Sequence, residues 1–136
     1  MPVYNLDTSV WIDFLEKRGN NGEYARRLID KIIEENSMII YSSIHLKELK
    51  DLGYIHDEIN RLLRVAKPNN LRFVHTSPEH ITEAKRLGKH HCVPNADALH
   101  AILAGDNLAL MIATDHHFER LRSLVETKTP LQVLDP

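Results

Sequence analysis

The sequence predicts an α/β fold: a three-layer α/β/α sandwich around a mostly parallel sheet of about five strands. Three observations predict it. Short apolar runs recur at 3–6, 38–41, 71–74 and 108–113, each ending at polar or turn residues. The stretches between them carry apolar residues at helical spacing. Helices lying between strands serve as the crossovers that parallel strands require. A chain of 136 residues, 43% of them hydrophobic, can bury a proper core and suits one domain spanning 1–136.

Each element follows in order. Val3 to Leu6 reads as a buried strand. From Val10 the apolar residues pair four apart, Val10 with Phe14 and Trp11 with Leu15, so a helix follows with Thr8 or Ser9 as its cap. The loop "KRGNNG" precedes the helix "EYARRLIDKIIEEN", where Ala25, Leu28, Ile29 and Ile32 share a face. Met38 to Tyr41 is the second strand, and Ser42 or Ser43 caps a helix containing "IHLKELKDL" that Gly53 breaks. Ile55 to Ala66 is the next helix, "KPNN" a loop, and Leu71 to Val74 the third strand. "TSPEH" starts a helix that runs to about His90, with a serine cap, proline at the first helical position and an acid behind it. Pro94 and Asn95 open another, through Ala104. "GDN" turns into the fourth strand, Leu108 to Ala113. A short helix follows from about His117 to Val125, and Leu131 to Leu134 is expected as a fifth strand.

Composition excludes several classes. The net charge of −2 argues against coating nucleic acid by charge alone, although a metal-loaded acidic site supplies positive charge locally. The longest apolar run, 108–113, is far short of the ~20 residues that span a bilayer. Asp7 and Asp13 interrupt the N-terminal stretch, so no signal peptide is expected. The lone Cys92 cannot form an internal disulfide, and a cytoplasmic protein is expected.

Function in a parallel sheet collects beyond the carboxyl ends of the strands. Asp7 follows the first strand and Asp115 the fourth. Glu48 lies on the helix after the second strand, and Asp97 in the first turn of "NADALHAILA". Carboxylates among apolar residues are costly to bury unpaired. Four of them in one cleft stay ionised if a divalent cation neutralises them, and an oxygen-rich set suits Mg2+ or Mn2+. Such a site fits phosphodiester hydrolysis. No Walker-type loop and no GxGxxG occurs. Ser9 stands where a haloacid-dehalogenase-like phosphatase has its second aspartate.

These motifs resemble the PIN domain, and in particular the toxin ribonucleases of VapBC toxin–antitoxin pairs. The carrying residues are "DTS" at 7–9 after a strand, Glu48 within "IHLKEL", Asp97 opening "DALHAILA", and "ATDHHF" at 113–118. The resemblance covers nearly the whole chain. It implies an Mg2+- or Mn2+-dependent endoribonuclease, usually dimeric, acting on RNA and held by an antitoxin protein. It matches Asp7, Glu48, Asp97 and Asp115 to the catalytic, metal-binding acids, and Thr8 or Ser9 to the hydroxyl beside the first. Ala113 replaces a frequent Thr or Ser. His117, taken with Thr8 and Ser9 as substrate-binding, stands where many members have another acid.

Two alternatives remain beside this reading: a PIN-fold module that binds RNA or protein without cutting, and a DNA-directed nuclease of similar fold. A zinc site from His90, His91, Cys92, His116 and His117 is disfavoured, because neighbouring histidines on a helix point apart. His100, one turn after Asp97, reads as a rim or core histidine. The clusters Arg26, Arg27, Lys31 and Lys85, Arg86, Lys89 read mainly as solvated helix faces, and Trp11 and Phe14 as core.

Overall fold

The computed structural model describes residues 2–66 and 68–136; Lys67, the first residue of the expected "KPNN" loop, lies outside them. The elements are β1 (Val3–Leu6), α1 (Thr8–Glu16), α2 (Gly19–Glu34), β2 (Met38–Ser42), α3 (Ser43–Asp51), α4 (His56–Arg64), β3 (Leu71–Val74), α5 (Pro78–His91), α6 (Asn95–Asp106) and β4 (Leu110–Ile112). A 3-10 helix (His116–Leu121), β5 (Thr127–Lys128) and α7 (Pro130–Leu134) complete the order. The strands form one sheet in the order β3-β2-β1-β4-β5. Every neighbouring pair is parallel.

Strand side chains alternate between faces, so consecutive buried residues feed two separate cores. Ile39 and Ile112 pack with α1, α2, α3 and α4 through Trp11, Leu28, Ile32, Leu49 and Leu62. Their neighbours Ile40 and Met111 pack with α5, α6 and the 3-10 helix through Leu87, Leu103 and Phe118. This is the three-layer sandwich the sequence predicts. The central strand β1 is apolar on both sides except at Asn5, whose Nδ2 donates to the His100 carbonyl at 3.0 Å and ties α6 to the sheet.

Several expected boundaries move. Leu131–Leu134 is helical, because Thr129 and Pro130 start a helix there: the Thr129 hydroxyl accepts from the Gln132 amide at 3.1 Å and the Gln132 side chain accepts from the Thr129 amide at 2.9 Å. The fifth strand is instead Thr127–Lys128, paired with β4. Leu108 lies outside β4 in a left-handed turn (φ 53°), fully solvated, which ends α6. The segment His117–Val125 is a 3-10 helix that stops at Leu121. In α4, Ile55 caps rather than joins the helix, its amide donating to Glu58 Oε1 at 3.0 Å.

The "GNNG" of the expected loop is the first turn of α2. A Cβ at Gly22 would lie 2.7 Å from the Asp13 carbonyl oxygen and 2.8 Å from the Lys17 carbonyl carbon. Glycine therefore lets α2 start hard against the end of α1, where Lys17 turns the chain in the left-handed region (φ 53°).

Candidate active site

Asp7 directly follows β1, and its amide donates to the Ile112 carbonyl of β4 at 2.8 Å. Asp115 follows β4, the neighbour of β1 on one side. Glu48 sits on α3, directly after β2, the neighbour on the other side. The chain leaves β1 toward β2 and returns to its far side as β4, so the acids gather at the point where strand order reverses.

Asp7, not Thr8 or Ser9, is the N-cap of α1. Its carbonyl accepts from the Val10 amide at 2.9 Å, but its side chain makes no capping bond. The carboxylate is engaged elsewhere: Ser9 Oγ donates to Asp7 Oδ2 at 2.6 Å. The Thr8 hydroxyl donates to Glu48 Oε1 at 2.8 Å. Both hydroxyls thus serve acids rather than the helix start. Asp7 and Thr8 are buried, and Glu48 and Asp97 are largely so.

Two histidines bridge the acids. His100 Nε2 lies 2.5 Å from the same Glu48 oxygen and 4.0 Å from Asp7 Oδ1. His117 Nδ1 lies 3.0 Å from Asp97 Oδ2 and 3.2 Å from Asp115 Oδ2. The His117 amide donates to Asp115 Oδ1 at 2.9 Å, which fixes that carboxylate. The site is therefore two linked halves, Asp7–Glu48–His100 and Asp97–Asp115–His117.

Charge couples the halves. Burial, then the charges of Asp7 and Asp115, push the Asp97 carboxyl up to about 6, against a downward pull from the His117 hydrogen bond. Burial likewise raises Asp7, helped by Glu48 and opposed by His100 and Ser9. For Glu48 burial acts upward, but the hydrogen bonds and charge of His100, with the Thr8 hydroxyl, prevail and hold it below the usual carboxylate range. Carboxylates raised by burial and by neighbouring acids are what a cation would relieve.

His45 and His100 form a buried layer beneath the acids. Their rings are 4.4 Å apart. The Ser42 amide donates to His45 Nδ1 at 3.1 Å, so the proton is on Nε2, which donates to the Leu6 carbonyl at 2.6 Å. Burial, with His100 beside it, holds His45 neutral by moving its pKa well below the ordinary value. His100 is fully buried, with Nδ1 unpartnered. His45 went unnoticed in the sequence. Its only signal is spacing: His45 precedes Glu48, and His100 follows Asp97, by three residues each, one helical turn.

Among the described residues, Asp115, His116 and His117 form the one tight group of three metal-capable side chains. His90, His91 and Cys92 do not join it, because they end α5 and Cys92 is exposed. Arg26 pairs with Glu23 and Asp30, and Arg86 with Glu83, as ordinary exposed helix-face pairs. A concavity of about 930 Å³ lies elsewhere, among α1, α2 and α4; Arg26 and Phe14 line it, and none of the four acids, Thr8, Ser9 or His117 does. No described helix is long and apolar enough to cross a membrane.

No curated protein sequence matches the chain significantly. Its structure is similar to VapBC2 from Rickettsia felis bound to a promoter DNA fragment, with TM-score 0.64, 19% identity, and coverage of 93% of this chain and 98% of that one. It is similar to a toxin–antitoxin complex from Klebsiella pneumoniae at TM-score 0.61 and 16% identity, covering 93% and 97%. FitAcB from Neisseria gonorrhoeae gives TM-score 0.59 and 20% identity over 95% and 98%. These likenesses describe the fold. The PIN domain profile matches residues 4–124, and with nearly all of the sandwich inside that span, the chain belongs to the PIN domain family.

Proposed function

We propose that this protein is a metal-dependent endoribonuclease, the toxin of a type II toxin–antitoxin pair. The observation that carries the reading is the gathering of Asp7, Asp97 and Asp115, with Glu48 alongside, at the strand-order reversal, where burial and then the charges of Asp7 and Asp115 push Asp97 up to about 6. The family and its toxin-bearing structural relatives support it.

The donor set fits a divalent cation. Its oxygens are anionic, and Asp7 and Asp97 are both raised by burial and by a neighbouring acid, a cost that a cation removes. Asp7, Glu48, Asp97 and Asp115 would hold Mg2+ or Mn2+, which supplies an activated water and neutralises charge on the phosphodiester. The chain's own residues do the rest. Ser9 fixes one oxygen of Asp7, and Thr8 with His100 fixes one oxygen of Glu48. The His117 amide fixes Asp115. These bonds orient the acids before substrate arrives, so little reorganisation is left for the reaction. His117, half-exposed at the rim, is placed to donate to a substrate oxygen.

RNA rather than DNA as substrate rests on the resemblance to toxin ribonucleases. The partner is a small antitoxin with an arginine that enters the acid cluster, where its planar fork bonds two carboxylate oxygens at once. The working form is a cytoplasmic homodimer. The deciding experiment incubates the protein with a mixed RNA pool and matching single-stranded DNA, with Mn2+ or EDTA, beside Asp7→Asn. RNA cleavage that needs Mn2+ and Asp7 supports the proposal. Undiminished cleavage in EDTA or by Asp7→Asn refutes the site, and cleavage of DNA alone refutes the substrate. Expression of the wild type without a partner slows growth, and Asp7→Asn does not.

A further inference from the structure

The geometry points to His45 as a positioning residue: its imidazole is inserted as a rung into the β1–β2 ladder and sets the gap across which β1 presents Asp7 and α3 presents Glu48. The inference deepens the nuclease reading and rests on it only for the effect on rate.

A parallel ladder repeats every second residue. Between β1 and β2 the Met38 amide donates to the Pro2 carbonyl at 3.2 Å, and the pairing runs on to Asn5 with Ile40. The next rung in that series is the Ser42 amide on the Leu6 carbonyl. It is not made, although neither strand has ended. Leu6 still pairs with Ile112 on its other side, and Ser42 still pairs with Val74 of β3. The His45 ring occupies the rung instead. Its Nδ1 accepts from the Ser42 amide at 3.1 Å, and its Nε2 donates to the Leu6 carbonyl at 2.6 Å. Only a neutral imidazole can accept at one nitrogen and donate from the other, and burial keeps His45 in that form.

Helix capping alone does not explain this arrangement. His80 holds the same place in α5, where Nδ1 accepts from the Ser77 amide at 3.0 Å, but its Nε2 turns to the Asp106 carboxylate at the surface. His45 directs its second nitrogen to the carbonyl just before Asp7. Two hydrogen bonds and the width of a ring thus stand where one bond of ~2.9 Å would, and the strands are held apart where their acids begin. Glu48 follows His45 by one turn of α3, and the His45 ring also backs His100, whose Nε2 meets Glu48 Oε1. Without the ring, the Ser42 amide can close directly on the Leu6 carbonyl, and the start of α3 moves toward β1. A misplacement of about 1 Å costs a reaction on the order of 100-fold.

The test begins with NMR of the isotope-labelled whole chain, reading scalar couplings across hydrogen bonds. The wild type should couple the Ser42 amide to His45 Nδ1, and His45 Nε2 to the Leu6 carbonyl carbon. A direct Ser42–Leu6 coupling in the wild type overturns the inserted rung. In His45→Ala that direct coupling should appear as the ladder closes, and its absence from the folded variant overturns the claim that the ring sets the gap. Turnover of a fluorescent single-stranded RNA in Mn2+ is compared in parallel. His45→Ala should lose kcat on the order of 100-fold, with KM little changed. His45→Gln, whose amide oxygen can accept and whose amide nitrogen can donate, should keep most of the wild-type kcat. An unchanged kcat in His45→Ala, or a loss carried by KM, overturns the positioning role. Where His45→Ala does not fold, a folded His45→Gln slowed as severely overturns it. RNA left intact by the wild type, with the ring couplings present, overturns the nuclease reading and leaves the rung standing.

Discussion

Replacing Asp97 by asparagine makes the metal-free protein more stable, and the gain depends on pH. The carboxyl titrates at about 6 in the fold against an ordinary 3.8. That difference means the folded state holds its proton longer than the unfolded chain does. Stability therefore falls as pH rises from the unfolded value through the folded one, and is flat above it. At neutral pH the ionised Asp97 costs the fold about 3 kcal/mol at face value. Partial solvent screening brings a realistic figure to about 2 kcal/mol. Asparagine keeps the shape and removes the charge. Urea unfolding in EDTA should show Asp97→Asn about 2 kcal/mol more stable than wild type at pH 7. Wild type should lose about 1 kcal/mol more than the variant between pH 5 and pH 7. Saturating Mn2+ should reverse the order, because at about 100 times its dissociation constant a ligand stabilises by about 2.7 kcal/mol, and only the wild type retains the ligand set. Equal stability of the two proteins at pH 7, with parallel pH curves, would refute the claim that Asp97 is destabilised by burial and by its neighbours.

Other perturbations test the fold and the site separately. Ca2+ should support weak RNA cleavage beside Mg2+ or Mn2+, because the larger ion holds water and phosphate at longer distances; equal turnover in a gel assay contradicts this. Thr8→Val removes one of the two donors on Glu48 Oε1. It should cost about 1–2 kcal/mol in urea unfolding and slow cleavage without abolishing it. Gly22→Ala drives a methyl group to 2.7 Å from the Asp13 carbonyl oxygen. A loss of about 1–3 kcal/mol is expected in the same measurement, and a neutral result would mean that α1 and α2 separate easily.

Much of this architecture was legible from residues alone, because apolar periodicity and capping chemistry are local. The runs ending at Leu6 and Val74 appear as the strands expected. The serine and proline of "TSPEH" start α5 as read, with the Ser77 hydroxyl accepting from the His80 amide at 3.2 Å. Failures came where tertiary contact decided. Thr127–Lys128 is too short to carry a pattern and is a strand because β4 pairs with it. The glycines at 19 and 22 look like a loop until the close approach of α1 is known. Leu131–Leu134 differs from the expected strand even though the signal is local, since Thr129-Pro130 with Gln132 is a helix start. At the candidate site, Asp7, Glu48 and Asp115 stand out by their places after strands, and Asp97 by its place in the first turn of an otherwise apolar helix. The way histidines subdivide them does not, because His100 meets Glu48 across 52 residues and one sequence gives no sign of that pairing.

The central strand has a consequence for the moment at which the acid cluster is completed during synthesis. β1 pairs with β2, made shortly after it, and with β4, made much later. Domains assemble from the N-terminus as the ribosome releases them, and non-local pairings form late. Asp7 and Glu48 can meet once α3 has emerged. Asp97 arrives with α6, and Asp115 only after β4 has docked on the free edge of β1 and received the Asp7 amide on Ile112. Between residues 48 and 97 a nascent chain thus carries half of the acid set. The cluster is first complete only when residue 115 has emerged and β4 has docked on β1, so every shorter nascent chain lacks at least one of its four acids.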